Sequence, residues 1–185
     1  DGLEILSAPF THSEIDAVVR SMPNDRAPGP DGFNGHFVKS CWHIINHDFY
    51  KLCDEFYNGT LDLTSINSGY ITLIPKNNSP ETVNDYRTIT LLNCCLKLIT
   101  KILANRLQQF ILKIIHRNQY GFIRTRNIQV CLAWAFEYIF QCQQSTEPII
   151  LLKLDFAKAF DTVNHAAMLD IMQHMGFDDR WLNWV

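Results

Sequence analysis

A chain of 185 residues, 47% of them hydrophobic, can bury a core as one domain or part of a larger one, which excludes disorder as its main state. No apolar stretch approaches the roughly 18 residues a bilayer span needs, and the first residues lack a basic-then-apolar signal pattern, so neither membrane insertion nor secretion is expected. The formal net charge of -3 argues against a nucleic-acid partner only until the charge is resolved along the chain.

Thr11 and Glu14 have capping-box spacing, and Ile15, Val18, Val19 and Met22 recur at helical period up to Pro23, which predicts a short first helix. The segment PNDRAPGPDGF holds three prolines and two glycines in eleven residues and reads as a structured loop. Phe37, Cys41, Trp42, Ile45, Phe49, Leu52 and Phe56 predict a second helix ending near Gly59, and Tyr70 to Ile74 predicts a strand that Pro75 closes. Leu96, Ile99, Leu103, Leu107, Phe110, Ile111 and Ile114 form the apolar stripe of an amphipathic helix, with Lys97, Lys101 and Arg106 turned largely away from it.

A further helix is expected from about Asn127 to Gln143. Then Ile149 to Leu154, apolar but for Lys153, predicts a rigid strand buried on both faces with Asp155 at its exit, followed by a helix from about Val163 to Met175. No repeat, low-complexity tract or domain-separating linker is visible. The six cysteines lie mostly on apolar helical faces without CxxC pairing, which fits reduced, buried thiols and a cytosolic or nuclear setting.

A carboxylate at a strand tip is where a metal ion or phosphate can reach it; the alternative, weaker for Asp155 than for Asp161, is an acid that opens the turn and caps the next helix. From Tyr86 to Phe136 there is no Asp or Glu, yet this block carries eight of the sixteen Lys and Arg. Such a field asymmetry draws a polyanion, the alternative being an ordinary solvated basic face.

Six segments in order, RAPGPDGF, ITLIPK, DYRTITLLNCCLKLITKILANRL, QYGFIRTRNI, LKLDFAKAFDTVNHAAML and GFDDRWLNWV, together resemble the reverse transcriptase domain of LINE-type, non-LTR retroelements, particularly those of plants. The resemblance covers nearly the whole chain. It implies an α/β (α+β) fold, the fingers and partial palm of a right-hand polymerase, helix-rich with a small sheet. About 1–145 would be amino-terminal extension and fingers, and about 146–185 the start of the palm. The implied activity is RNA-directed DNA polymerisation by two-metal nucleotidyl transfer with Mg²⁺ or Mn²⁺, acting on an RNA template, a DNA primer and deoxynucleoside triphosphates, in the nucleus or cytoplasm.

By the same resemblance Asp155 is the first catalytic, metal-binding palm aspartate, and the backbone carbonyl of Phe156 completes that side of the metal site. Lys158 and Ala159 would lie beneath the triphosphate, and Phe160 against the sugar, where it would exclude a ribose 2′-hydroxyl; its alternative is a core aromatic. Lys76 and Arg87, joined by the polar hairpin NNSPETVND, match the fingers cations that close over the triphosphate. Gln119, Gly121, Phe122 and Arg126 fall in the template-contacting segment, with Lys97, Lys101 and Arg106 as basic support for template and primer.

The chain departs from the family pattern at Thr88, where proline is usual, at Thr125, where glycine is usual, and at His165, where many relatives carry tryptophan. The paired-aspartate box expected downstream of Asp155 is not in this sequence, and Asp178 and Asp179 are expected to cap the last helix instead. Together with Asp1 in place of an initiator methionine, this points to a fragment inactive on its own. A non-catalytic, nucleic-acid-binding relic is the alternative. A phosphatase built on Asp155 lacks the DxD spacing such enzymes commonly use, since Phe156 and Ala157 follow.

Overall fold

A computed structural model describes residues 2–146, 148–156, 159 and 161–185. It divides the chain into two compact units, 8–105 and 1–7 with 106–185, with a continuous helix running through the boundary at Asn105 and Arg106.

The unit of residues 8–105 opens with α1 (His12–Ser21), whose N-cap Thr11 accepts the Glu14 amide at 3.2 Å. Ile15, Val18 and Val19 form its buried face, and the chain leaves the helix before Pro23. α2 (Gly35–Asn58) is capped by Asn34, which accepts the Phe37 amide at 2.9 Å, and ends at Gly59 with φ 70°, a left-handed stop that glycine adopts without a Cβ clash. The two helices are tied by one carboxylate: Asp16 of α1 accepts the Trp42 indole N–H at 2.9 Å and the Tyr50 hydroxyl at 2.7 Å from α2. Those bonds, the Tyr50 one first, hold the Asp16 carboxyl below its ordinary value of 3.8 against the opposing effect of burial.

After the short α3 (Leu63–Ile66), β1 (Gly69–Pro75) pairs antiparallel with β2 (Tyr86–Leu92), from Gly69 opposite Leu92 to Pro75 opposite Tyr86. This is the one sheet among the described residues. α4 (Cys94–Ile114) follows at once, burying Cys94, Leu98, Ile99, Ile102 and Leu103.

The glycine-rich loop at 26–33 is fastened to the junction of β2 and α4. A Cβ on Gly29 would stand 2.2 Å from the Leu92 carbonyl oxygen, so only glycine permits that approach. Buried Asn93 accepts the Asp31 amide at 3.0 Å and donates to the Ile66 carbonyl at 3.0 Å and the Ser68 hydroxyl at 3.2 Å. The Asp31 carboxylate in turn accepts the Cys94 amide at the first turn of α4, and Lys97 Nζ donates to the Ala27 carbonyl at 2.9 Å. Beside this cap the Cys94 thiol is pushed up by its hydrogen bond with Cys95, by burial and by Asp31, whereas Cys95 is lowered by the same sulfur contact. All six cysteines are free thiols, two of them buried.

The second unit combines the amino-terminal 3-10 turn Leu3–Ser7, the end of α4, α5 (Ile128–Gln144), α6 (His165–His174) and α7 (Asp179–Trp184). Asn127, Asn164 and Asp178 cap the last three helices through their side chains, and Asp178 also accepts the Ser7 hydroxyl. Trp181 is buried with Phe177 and Leu6, its indole N–H having no hydrogen-bond partner among the described residues. No described helix is long and apolar enough to cross a membrane.

Two sequence expectations need correction here. Ile149 to Leu154 is irregular and open rather than a buried strand, with Ile150 96% and Leu152 75% exposed. A strand exists through its ladder, and no described strand lies beside this segment, so β-propensity alone does not make one. Arg106 does not turn away from the core: it is 7% exposed, and its guanidinium donates to the Leu6 carbonyl at 2.8 Å. Leu98, Ile102 and Arg106 are spaced by four, which places the arginine on the buried stripe.

Asn93→Ala should lower stability by about 2–3 kcal/mol, since it removes three bonds and leaves partly buried partners unpaired. Gly29→Ala should also destabilise, by about 1–3 kcal/mol, because backbone must shift to admit the methyl group; denaturant titration checks both. A second expectation concerns acid. Because the Asp16 carboxyl is lowered on folding, its contribution is full above the unfolded value and lost as pH falls through the folded one, below 3.8. Asp16→Asn should weaken the α1–α2 pair at neutral pH by about 1–2 kcal/mol and flatten the acid-side fall, read by tryptophan fluorescence.

Candidate functional site

The β1–β2 hairpin carries the two cations expected over a triphosphate. Ile74 stands opposite Arg87, and just beyond the last pair the Lys76 amide donates to the Asp85 carbonyl at 2.7 Å. Lys76 follows β1 directly and Arg87 is the second residue of β2, so the two stand at the same end of the hairpin. Both side chains are exposed, with Lys76 Nζ folded onto the Asn84 carbonyl at 2.6 Å.

The turn beneath them is braced by Asp85. Its carboxylate accepts the Thr82 amide at 2.8 Å, the Glu81 amide at 3.1 Å and the Thr82 hydroxyl at 3.0 Å, and these bonds, with Lys76 nearby, hold it below the usual carboxylate range. Thr88 sits opposite Leu73 within the ladder, so a non-proline residue there is accommodated as ordinary strand.

The segment from Gln119 to Arg126 is a compact turn following α4. Arg126 Nη1 donates to the His116 carbonyl at 2.7 Å and the Gln119 carbonyl at 2.6 Å, so this arginine closes the turn on itself. Gln119 Nε2 reaches the Gly121 carbonyl at 3.4 Å, and residues 120–128 line an open hollow of about 680 Å³. Thr125 keeps an ordinary negative φ; the left-handed residue is Phe122, at φ 63° and 88% exposed. That conformation costs a bulky L-residue about 1–2 kcal/mol.

Of the α4 cations, Lys101 is exposed, Lys97 is half-buried against the 26–33 loop, and Arg106 is buried as described. Asp155 and Phe156 lie exposed in the irregular segment after Ile149, and Ala159 is exposed in a turn. Lys158 and Phe160 lie outside the described residues. No group of three or more His, Cys, Asp or Glu able to hold a metal occurs among the described residues. Asp155 and Phe156 nonetheless offer the hard oxygen donors, a carboxylate and a carbonyl, that suit Mg²⁺ or Mn²⁺. Asp155 and the 119–126 turn belong to one unit and the hairpin to the other. Sequence reasoning assigned no role to Asp31, Asn93 or Gln108; a Gly-Pro-Asp-Gly loop and an Asn immediately after a strand were the available signals for the first two.

Comparison with known proteins places the chain in a family. The family described as reverse transcriptase (RNA-dependent DNA polymerase) matches residues 74–185, from the end of β1 onward. The chain is 31% identical over 177 residues to the retrovirus-related Pol polyprotein from the type-1 retrotransposable element R2 of Popillia japonica, covering 96% of this chain and 24% of that one. It is 26% identical over 183 residues to the transposon TX1 uncharacterized 149 kDa protein of Xenopus laevis, covering 98% and 14%. With the RNA-directed DNA polymerase from mobile element jockey of Drosophila melanogaster it shares 24% over 182 residues, covering 90% and 19%. The chain thus spans less than a quarter of the length of each of these relatives. The matched region takes in Lys76, Arg87, the 119–126 turn and the Asp155 segment, and the chain belongs to the reverse transcriptase (RNA-dependent DNA polymerase) family.

Proposed function

We propose that this chain supplies the fingers and the first part of the palm, divided near residue 145, of an RNA-directed DNA polymerase of a non-LTR retrotransposon. The observation that carries the reading is the turn end of the hairpin: exposed Lys76 just after β1 and exposed Arg87 near the start of β2, beside a turn braced by Asp85, with both cations inside the family match. Lys76 and Arg87 hold the triphosphate of an incoming deoxynucleotide, and their charge stabilises the transferring phosphoryl group. Lys158 and Ala159 lie under the same triphosphate, and Phe160 contacts its sugar. Asp155, with the Phe156 carbonyl, would hold a divalent cation, Mg²⁺ or Mn²⁺. Two such ions, when bound, activate a primer hydroxyl and neutralise the leaving phosphate. Gln119, Gly121, Phe122 and Arg126 meet the RNA template, and Lys97 and Lys101 support the template and DNA primer from α4.

Arg106 is withdrawn from the phosphate-contacting set, because its guanidinium lies inside the protein on the Leu6 carbonyl. A second reading, a nucleic-acid-binding fragment without chemistry, is favoured by one observation: the acid-free block from Tyr86 to Phe136 needs no catalytic metal to bind a polyanion. On either reading the compartment is the nucleus or cytoplasm.

Binding to an RNA–DNA duplex should weaken steeply with salt. Lys101→Ala should reduce the slope of log affinity against log salt by about 1, whereas Arg106→Ala should lower thermal stability and leave the slope unchanged. Salt-independent binding removes both readings. Primer extension separates them: the 185-residue chain should not extend a primer, since one carboxylate cannot hold two cations about 3.5–4 Å apart. The same sequence joined to the downstream palm and thumb of a relative should extend it. In that longer polypeptide Asp155→Ala should abolish synthesis, and Lys76→Ala or Arg87→Ala should raise the nucleotide KM. Full activity of the Asp155→Ala protein would overturn the catalytic assignment.

A further inference from the structure

Phe122 combines two unfavourable features for a folded protein. Its backbone is left-handed, at φ 63°, and its ring is 88% exposed to water. The neighbouring Ile123 is buried, 6% exposed, so the turn is anchored next to the ring it displays. One side chain brackets this position. Gln108, on α4, donates through Nε2 to the Phe122 carbonyl at 3.1 Å and accepts the Arg124 amide on Oε1 at 3.5 Å. Its amide thereby takes the place of a neighbouring strand, gripping the backbone on either side of Ile123. From below, Arg126 closes the same turn through the His116 and Gln119 carbonyls.

Strain held by a side chain from a different element, on a ring that contributes little to the core, points from an outlier to a function. The surroundings say what the ring meets. Phe122 lies within the stretch from Tyr86 to Phe136 that has no acidic residue, with Arg117, Arg124 and Arg126 nearby in sequence. A flat apolar face among cations fits an unpaired nucleobase, whose backbone the cations attract while its π-face stacks on the ring.

We infer that Gln108 is a positioning residue: it holds Phe122 in the left-handed conformation that presents its ring to an unpaired base of the template strand. The inference rests on the polymerase reading and adds to it the mode of contact and a residue that touches no nucleic acid itself. A left-handed Phe122 directs its side chain differently from a β or α residue, so releasing the Gln108 bonds lets the backbone relax and withdraws the platform.

The test is binding of the 185-residue chain to a single-stranded RNA carrying one fluorescent adenine analogue whose emission is quenched on stacking. Phe122→Leu should weaken binding about tenfold and abolish the quench, and Phe122→Trp should retain both. Gln108→Leu should weaken binding about fivefold and reduce the quench, with the double variant no weaker than Phe122→Leu alone. Should Gln108→Leu fail to fold, Gln108→Glu keeps the acceptor for the Arg124 amide and loses the donor to Phe122, and should show the same pattern. Losses that multiply in the double variant would show that Gln108 acts apart from the ring and overturn the inference. Salt-dependent binding with an unaltered quench in Phe122→Leu would also overturn it while leaving the polymerase reading intact. No binding by the wild-type chain at any salt would overturn both.

Discussion

The contact on which the 8–105 unit depends is the seating of the Arg26–Phe33 loop against the end of β2, where Gly29 meets the Leu92 carbonyl and Asn93 links three segments. A two-stranded hairpin has little independent stability in water, and here neither strand buries a face in the core. What fixes its root is Asn93, held between Asp31, Ile66 and Ser68, with Asp31 closing the first turn of α4. Loop, hairpin and helix therefore share one set of hydrogen bonds, and the position of Lys76 and Arg87 relative to α4 follows from it. The tip is braced separately, by hydrogen bonds between Thr82 and Asp85.

The second unit is arranged on different terms. Its core is small, built on Leu6, Ile123, Phe177 and Trp181, while α5 presents Trp134, Phe136, Tyr138 and Phe140 largely to solvent. Ile149 to Leu154 adds further exposed apolar surface. Surfaces of this kind mark places where more protein or a ligand packs, and left open they are a hazard for aggregation.

Much of the helical order was legible because it is local. Thr11 and Asp178 act as the caps their positions suggested, and Gly59 and Pro23 end helices for reasons contained in a single residue. The hairpin was legible from Pro75 and the polar turn. The strand expected at Ile149 was misread because a strand is a property of two segments, and apolar β-branched composition does not supply the second. Arg106 was misread because the stripe was drawn through Leu96, Ile99 and Leu103, whereas Leu98 and Ile102, the most buried positions, lie on the line that reaches the arginine. Asn93 and Gln108 were missed for another reason. Each acts through backbone groups distant in sequence, and nothing in a neutral amide announces which carbonyl it will meet.

The Arg106–Leu6 bond joins groups 100 positions apart, which makes the first seven residues part of the later unit rather than of the one that follows them in sequence. During synthesis at about 5–20 residues per second, Arg106 is added about 5–20 seconds after Leu6. Removing residues 1–7 from this chain would take away the carbonyl that Leu6 offers to Arg106 in the interior of the later unit.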